Sequence, residues 1–338
     1  MKIFGKDLDR EVCIVAEVGV NHEGDEATAG RLIELAAGAG ADAVKLQTYT
    51  PERFVAANDA ARLARVRRFG LDEAAHRRLK AVAEKAGIPL FSTAVTEDVV
   101  PLLAELFPVI KIASGDLDFE PVIRAAAATG KPVIVSTGLG TAEEVDRMVG
   151  WVRAETGADA LKERLALMQC VSAYPAPVEE ANVLSIPYLA ARTGLTVGYS
   201  NHVIGPEACY AAVAQGATLI EVHFTDRKSG RDFRDHALSM EPADLRALVE
   251  TLPRIRASLG SAGKQRMPAE LGNLAAVRKG VVAARDLAEG QVLTRDDLMY
   301  ARPASEFAAA DLPSLVGRRL LRAVPAGHLV PRDGVSGA

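Results

Sequence analysis

The feature that most constrains the fold is an alternation of short apolar runs with alanine-rich segments between residues 12 and 225. The apolar runs are CIVAEVGV, AVKLQTY, PLFST, VIKIASG, PVIVSTG, LALMQCVS, LTVGYSN and LIEVHFT. Nearly continuous apolar runs of this length are typical of strands that are buried on both faces of a parallel sheet. The segments between them, such as ATAGRLIELAAGAG and AAHRRLKAVAEKAG, often end in glycine, which favours the end of a helix.

Eight strand-plus-helix units over about 250 residues predict a (β/α)₈ TIM barrel. A doubly wound open sheet is the main alternative. Such a sheet usually has fewer strands, and no glycine-rich dinucleotide loop follows the first predicted strand. The last helix of the barrel is predicted at PADLRALVETLPRIRASLG, with Pro242 just inside its start.

The alternation of predicted strands and helices ends at about residue 261, and short strands with tight turns follow. We predict a barrel domain at residues 1–262, a linker at 263–276 and a small all-β domain at 277–338. Within the last range, VVAARDLAEGQVLTRDDL and LLRAVPAGHLVPRDGV look like two copies of one pattern of strand, tight turn, strand and aspartate. This repetition predicts internal pseudo-symmetry in a domain near the lower size limit for independent folding.

Charge and cysteine usage limit the environment and the partners. The formal net charge is −4 and the charges are mixed along the chain, so nothing electrostatic favours binding to nucleic acid or to a membrane surface. The three cysteines are widely spaced, which predicts reduced thiols. The N-terminus has no apolar signal region, and the apolar runs are too short to span a bilayer. We therefore expect a cytoplasmic protein.

Polar side chains stand near the carboxyl end of all eight predicted strands, where a TIM barrel forms its active site. Burying such groups costs about 1–3 kcal/mol each unless they are paired, so a shared polar cavity is predicted. They are Glu17, Asn21, His22, Lys45, Gln47, Ser92, Thr93, Lys111, Ser114, Asp116, Ser136, Thr137, Gln169, Ser172, Tyr174, Asn201, His202, Glu221 and His223.

Each residue alone also allows a simpler interpretation. His202 or His223 could be a hydrogen-bonded core histidine. Lys45 or Lys111 could be an ion-paired lysine at the rim of the barrel, and Glu17 could simply neutralise one of them. Together, two histidines on adjacent strands suit a divalent cation such as Mn²⁺ or Mg²⁺, and two lysines suit a phosphate or a carboxylate.

In the order and spacing of several motifs, the chain resembles the N-acetylneuraminate (sialic acid) synthase family. The resemblance rests on AEVGVNHEG, GADAVKLQTY, KIASGDL, VSTG, QCVSAYPAP, GYSNH, HFTDR and DHALSMEP, which occur in the family's order and at suitable spacing. The tail, with VVAARDLAEGQVLTRDDLMYARP, is similar to the family's SAF domain, a β-clip fold related to type III antifreeze proteins. The resemblance spans nearly the whole chain and implies a TIM barrel followed by this domain.

The resemblance implies a metal-dependent transferase. It would condense phosphoenolpyruvate with the open-chain aldehyde of an amino sugar, giving a nine-carbon 2-keto-3-deoxy (nonulosonic) acid and phosphate with cleavage of a C–O bond. The metal, Mn²⁺ or Mg²⁺, would also bind the aldehyde oxygen. The resemblance further implies a domain-swapped homodimer.

Roles for single residues also follow from the resemblance. His202 and His223 would hold the metal, and Glu17 would contact the sugar and the attacking water. Tyr174 and Asp235 would bind the sugar, with Arg302 reaching in from the partner's SAF domain. The residues that would line the phosphoenolpyruvate end are Lys45, Gln47, Lys111, Ser114, Ser136 and Ser172, and Asp116 is a further substrate-binding candidate.

The chain departs from the family pattern at several places. Asn201 replaces a frequent aspartate, Val222 a frequent lysine or arginine, and Gln169 a frequent histidine. The stretch at 50–71 is shorter than usual, and RPASEF replaces a loop with two glycines. The sequence leaves the acceptor open among N-acetylmannosamine, legionaminic-type and pseudaminic-type precursors, and others.

Two alternative functions remain open at the sequence level. The same barrel could be a metal-free aldolase with Lys111 as a Schiff-base lysine. The chain could also be a non-catalytic carbohydrate-binding or ice-binding protein, although an ice-binding surface gives no reason for polar groups at eight strand ends.

Overall fold

The computed structural model describes residues 1–337, which form two compact units that divide between Gly260 and Ser261. The first unit begins with a two-stranded antiparallel hairpin, β1 (Lys2–Ile3) and β2 (Lys6–Asp7), which the sequence did not predict. Within the described residues, no helix combines the length and the apolar character needed to cross a membrane.

The first unit is a closed barrel of eight parallel strands. Each strand pairs with the next along the chain, and the last strand pairs with the first, which confirms the TIM barrel and excludes the open sheet. The strands are β3 (Cys13–Gly19), β4 (Ala43–Thr48), β5 (Leu90–Ala94), β6 (Ile110–Ile112), β7 (Val133–Ser136), β8 (Leu165–Cys170), β9 (Thr196–Asn201) and β10 (Leu219–His223).

Helices follow the strands and cover the barrel. The three segments named above as predicted helices all form, at Glu26–Ala39, Glu73–Ala86 and Pro242–Ser258. The helices of this unit are α1 (Glu26–Ala39), α2 (Pro51–Phe54), α3 (Ala60–Phe69), α4 (Glu73–Ala86), α5 (Val100–Leu106), α6 (Glu120–Ala128), α7 (Ala142–Thr156), α8 (Leu161–Arg164), α9 (Ser185–Thr193), α10 (Glu207–Ala214), α11 (Asp235–Leu238) and α12 (Pro242–Ser258).

Local sequence explains where these helices begin and end. Asp25 and Asp72 precede α1 and α4, and their carboxylates accept hydrogen bonds from backbone N–H groups of the first turn. Gly40 and Gly87 end the same helices in the left-handed conformation, with φ of 90° and 71°. These stops turn the chain back into the next buried strand.

The second unit is a small β domain with its own hydrophobic core. Its strands are β11 (Gly280–Ala283) and β12 (Leu298–Ala301), and its short helices are α13 (Pro268–Leu271), α14 (Leu274–Val277) and α15 (Leu312–Leu315). The stretch predicted as a linker therefore contains helical turns.

The predicted pseudo-symmetry of this domain is confirmed by its bridges. Leu287 and Val324 hold equivalent positions before the AEG and PAG turns, and they pair with each other. Val282 in the first copy pairs with Leu329 in the second. The equivalent positions with the copies exchanged, Arg319 and Val292, also pair with each other. The two copies of the pattern are thus related by a local two-fold arrangement.

Candidate active site

The register of the barrel strands places the predicted site residues at one level. Glu17 in β3 is opposite Lys45 in β4 on one side and His223 in β10 on the other. Thr93 in β5 is opposite Lys111 in β6. Because parallel strands present their carboxyl ends at one mouth of the barrel, these side chains share the site end predicted from the sequence.

Two lysines and two glutamates form a buried charge cluster, made of Glu17, Lys45, Lys111 and Glu221. Lys45 Nζ lies 2.7 Å from Glu17 Oε2, and the Nζ atoms of Lys45 and Lys111 each lie 3.6 Å from Glu221 Oε1. All four residues are buried. Paired charges of both signs account for ionic groups at a depth where a single charge would be very costly.

Neutral hydroxyl and amide groups surround the charge cluster. Lys45 Nζ donates to Thr93 Oγ1 at 2.9 Å, and Lys111 Nζ donates to Ser136 Oγ at 2.7 Å. Gln47 Nε2 donates to Glu17 Oε1 at 3.0 Å. Each lysine is therefore held by a hydroxyl group of the neighbouring strand.

Burial and neighbouring charges shift the pKa values of the residues in the charge cluster in different directions. Burial raises the pKa of Glu17, with Lys45 opposing the effect. Burial also lowers the pKa of Lys111, with Glu221 opposing it. For Lys45, burial would lower the pKa, but Glu17 and Glu221 outweigh it and the pKa is raised. Lys45 is thus the more firmly charged of the two lysines.

A cradle of small groups lies beside Lys111. Gly138 N–H donates to Ser114 Oγ at 3.0 Å. A Cβ built on Gly138 would lie 2.6 Å from Ser172 Oγ and 2.8 Å from Ser114 Oγ, so only glycine leaves this space. The structure thus brings Ser114 and Ser172 together at one glycine, and Ser136 binds the neighbouring lysine. Hydroxyl and backbone N–H groups near a lysine suit an anion.

The two candidate metal ligands face each other on adjacent strands. His202 directly follows β9 and His223 ends β10, and their ring centroids are 5.2 Å apart. His202 Nδ1 lies 2.6 Å from the carbonyl oxygen of Val171. Since a carbonyl only accepts, Nδ1 carries the hydrogen, and Nε2 is the nitrogen that would ligate a metal once the ring is neutral.

The histidine pair fits a metal ion that takes most of its ligands from water and substrate oxygen atoms. Burial lowers the pKa of His223 well below its usual value, with the His202 charge adding to the effect, so the ring is neutral and able to ligate. Among the described residues, no group of three or more His, Cys, Asp or Glu side chains could hold a metal. Two imidazoles with water and substrate oxygen match ions that retain several waters.

An aromatic ring and a carboxylate lie next to the histidines. The Tyr174 ring packs on His202, with 4.1 Å between centroids and 34° between planes, and meets His223 edge-on at 5.9 Å. Asp235 begins α11 and is buried, with its Oδ1 3.0 Å from Arg234 Nε. The guanidinium of Arg234 lies 4.5 Å from the centre of the Tyr174 ring.

Two candidates lie outside these groups of contacts. Asp116 is in the short turn Ser114–Asp116 after β6, where burial and the Asp118 charge raise its pKa to about 6. Arg302 follows β12 in the second unit, and its side chain is exposed. The cross-subunit role of Arg302 stays a prediction.

Two of the departures from the family pattern, Asn201 and Gln169, make hydrogen bonds to nearby backbone carbonyls. Asn201 Nδ2 donates to the carbonyl of Val203 at 2.8 Å and so fixes the turn after β9. Gln169 Nε2 donates to the carbonyl of Ala181 at 3.2 Å. Residues 50–71 contain α2 and α3.

Sequence reasoning missed the roles of three residues near this site. The sequence identifies Glu221 as a polar strand end, and the structure shows that its carboxylate bridges both lysines. The sequence predicts Cys170 as a reduced thiol, and the structure places its Sγ 3.7 Å from His202 Nδ1. Nothing in the sequence pattern distinguishes Arg234, which directly precedes the candidate Asp235. For Glu221, the two-residue spacing to His223 was an available signal, because alternate strand residues share a face.

Two family models match this chain. The model of the NeuB family matches residues 32–264, and the model of the SAF domain matches residues 278–335. The barrel and the C-terminal β domain therefore each have a family match of their own.

Relatives of known activity are similar over almost the full chain. N,N'-diacetyllegionaminic acid synthase of Campylobacter jejuni is 34% identical over 323 residues, covering 91% of this chain and 96% of the relative. N-acetylneuraminate-9-phosphate synthase of Homo sapiens is 31% identical over 326 residues, covering 91% of this chain and 88% of the relative. Among solved structures, the N-acetylneuraminic acid synthetase of Leptospira borgpetersenii matches with a TM-score of 0.73 and 32% identity, covering 78% of this chain and 90% of that one.

Proposed function

Since the chain belongs to the NeuB family and carries a SAF domain after its barrel, we propose that it condenses phosphoenolpyruvate with the open-chain aldehyde of an acetamido sugar. The products are a nine-carbon 2-keto-3-deoxy acid and phosphate. The observation that carries the proposal is the buried charge cluster beside the histidine pair. One half of the site suits a small anion and the other half suits a polarised carbonyl.

The anionic substrate is assigned to Lys45, Lys111 and the cradle. Phosphoenolpyruvate carries a carboxylate and a phosphate, and the two ammonium groups offer one positive charge to each. The hydroxyls of Ser114, Ser136 and Ser172 supply short-range donors, because Ser114 and Ser136 accept hydrogen bonds from Gly138 and Lys111 and keep their own hydrogens to donate. Charge-assisted hydrogen bonds in a buried site are stronger than neutral ones, which supports tight binding of this anion.

The chemistry needs a new C–C bond and a broken C–O bond. C3 of phosphoenolpyruvate bonds to the aldehyde carbon, whose oxygen takes up a proton, and C2 becomes electron-poor. Water adds to C2 and loses one proton, and the bond from C2 to the bridging oxygen then breaks as the new hydroxyl passes its remaining proton to the departing phosphate, leaving the keto acid. Glu17 is assigned to orient this water and take its proton, because burial raises the pKa of its carboxyl.

We assign a divalent cation, Mn²⁺ or Mg²⁺, to Nε2 of His202 and to His223. When bound, the cation supplies Lewis-acid polarisation of the acceptor carbonyl. The neutral state of His223 and the Val171 carbonyl that fixes the His202 tautomer support this assignment. The acceptor itself is assigned to Tyr174 and Asp235, which lie on the histidine side of the mouth.

The decisive experiment is a phosphate-release assay with purified protein, phosphoenolpyruvate and Mn²⁺. The panel of acceptors includes N-acetylmannosamine, its 6-phosphate and 2,4-diacetamido-trideoxyhexoses, with product masses measured. Phosphoenolpyruvate labelled with ¹⁸O at the bridging oxygen should deliver the label to phosphate, since the C–O bond breaks. Failure of every acceptor to release phosphate would reject the proposed function.

We further propose a domain-swapped homodimer, in which Arg302 of one subunit serves the barrel of the other. The support is the family resemblance and the exposed position of Arg302 after β12. A dimer mass in solution is required by this proposal, and a strictly monomeric active enzyme contradicts it.

A further inference from the structure

Residues 226–239, which form most of the loop between β10 and α12, are tied to the rest of the barrel. His236 Nδ1 lies 2.7 Å from Thr225 Oγ1, and His236 Nε2 lies 3.2 Å from Glu23 Oε1. Arg231 Nη1 lies 3.7 Å from the same carboxylate oxygen of Glu23. These contacts fix the loop against the turn that follows β3.

The backbone at Asp235 is fixed independently of its side chain. Ser239 Oγ donates to the carbonyl of Asp235 at 2.6 Å, and Asn21 Nδ2 donates to Ser239 Oγ at 3.0 Å. The carboxylate of Asp235, in contrast, contacts the side chain of Arg234. The loop therefore sets where Asp235 stands, and Arg234 sets where its carboxylate points.

Arg234 holds two groups at once. Its Nε lies 3.0 Å from Asp235 Oδ1, and its guanidinium lies 4.5 Å from the centre of the Tyr174 ring. A guanidinium that lies over an aromatic ring and also forms an ion pair is a use of arginine that lysine cannot reproduce fully. The Arg234 side chain is 65% exposed whereas that of Asp235 is 9% exposed, so the arginine forms the outer edge of this group.

Tyr174 connects Arg234 to the histidine pair, because its ring contacts both. The same ring packs on His202, at 4.1 Å between centroids, and meets His223 edge-on at 5.9 Å. Burial raises the pKa of Asp235, and Arg234 is the leading opposing influence. Removal of Arg234 therefore frees the ring and weakens the ionised state of the carboxylate, both on the acceptor side of the site.

We propose that Arg234 is a positioning residue for the acceptor sugar, acting through Asp235 and Tyr174. The inference rests on the proposed function, because it takes these two residues as the acceptor site. It assigns no contact with phosphoenolpyruvate, whose groups lie around Lys111 and Gly138.

The test compares Arg234→Gln and Arg234→Lys with wild type, by measuring KM separately for the acceptor and for phosphoenolpyruvate. In Arg234→Gln the acceptor KM should rise by about tenfold, the size expected for losing one charge-assisted hydrogen bond, with the phosphoenolpyruvate KM within about twofold of wild type. Arg234→Lys keeps the charge and should recover part of the loss. Arg227→Gln is the matched control, because it removes the same charge from an exposed side chain of the same loop.

The outcomes separate this inference from the proposed function. An unchanged acceptor KM in Arg234→Gln, or equal rises in both KM values, overturns the positioning role. If wild type turns over no acceptor, the proposed function fails, and calorimetric binding of the same sugars to wild type and Arg234→Gln decides the inference. Equal binding by the two proteins, or no binding by either, then rejects it.

Discussion

Glu17 and Lys45 form a buried ion pair across neighbouring strands, with 2.7 Å between Oε2 and Nζ. Glu17 therefore does neutralise a lysine, as the simpler interpretation of the sequence holds. This ion pair is compatible with a catalytic role for the same carboxylate. The ion pair holds the Glu17 carboxylate beside Lys45 Nζ, and Gln47 Nε2 donates to its other oxygen.

Replacing Glu17 by Gln should lower kcat by about 100-fold or more, the usual size of a lost general base. Lys45 keeps Glu221 as a partner, so the free energy of unfolding should fall by only about 1–3 kcal/mol. Steady-state kinetics and urea denaturation measure the two effects. Glu34→Gln, on the exposed side of α1, is the control for a lost surface carboxylate. Such comparisons scatter by roughly threefold. A kcat of Glu17→Gln within about threefold of the wild-type value would therefore show that Glu17 is not the general base.

Gly138→Ala should selectively damage binding of phosphoenolpyruvate. The added methyl group would lie under 3 Å from the hydroxyls of Ser114 and Ser172 and so must displace them. We expect the phosphoenolpyruvate KM to rise by about tenfold, as for the loss of one or two hydrogen bonds, with little change in the acceptor KM.

Gly150→Ala provides the matched control for this substitution. Gly150 lies in α7, and a Cβ built there meets nothing within 4 Å. Alanine in an open helical position should leave both KM values unchanged and stabilise the helix slightly. Equal effects of the two substitutions on the phosphoenolpyruvate KM would contradict the cradle.

The sequence predicted the barrel and the level of the site because both depend on periodicity. Continuous apolar runs identify buried parallel strands, and polar residues at the carboxyl ends then meet at one mouth. His202 and His223 were placed on neighbouring strands in this way, which the strand order confirms.

The contacts within the site could not be read from the sequence in the same way. The bridge from Glu221 to both lysines depends on strand register and side-chain rotamers. The position of Arg234 on Tyr174 depends on the path of a long loop, and loop conformation follows from tertiary contacts such as that of His236 with Glu23. Periodicity carries no information on either.

The pH profile for phosphoenolpyruvate should be limited on the alkaline side by Lys111. Burial lowers the pKa of Lys111, whereas the pKa of Lys45 is raised, so Lys111 loses its charge first as pH rises. Since the anion needs the charged form, kcat/KM should fall at a pH below the ordinary lysine value. Lys111→Arg stays charged and should move this fall to higher pH, even if kcat is reduced. An alkaline fall at the same pH in both proteins would assign it to another group.

The same lysine distinguishes the synthase from a Schiff-base aldolase. An aldolase lysine would be trapped by borohydride in the presence of pyruvate, adding mass to the peptide that contains Lys111. We expect no added mass by tryptic mass spectrometry and loss of turnover with a chelator. A trapped adduct together with chelator-resistant activity would favour the aldolase.

His223→Gln should weaken binding of Mn²⁺ by about tenfold or more while the protein stays folded, because one of two imidazole ligands is lost. Titration followed by electron paramagnetic resonance reports the free ion and is independent of turnover. The control is His328→Gln, an exposed histidine of the second unit. Mn²⁺ affinity that is equal in wild type and His223→Gln would show that the histidine pair is not the metal site.

Subunit mixing tests whether Arg302 acts across the dimer. Glu17→Gln and Arg302→Ala proteins should each be weakly active, since one lacks a barrel residue and the other a residue of the second unit. If Arg302 serves the partner's barrel, a heterodimer carries one intact site, made of the Glu17 of one chain and the Arg302 of the other. Co-expressed proteins with two different tags, purified over both, should then recover about half of the wild-type kcat per dimer, in line with independent sites. If Arg302 serves its own barrel, neither site of the heterodimer is intact and activity stays at the level of the single variants.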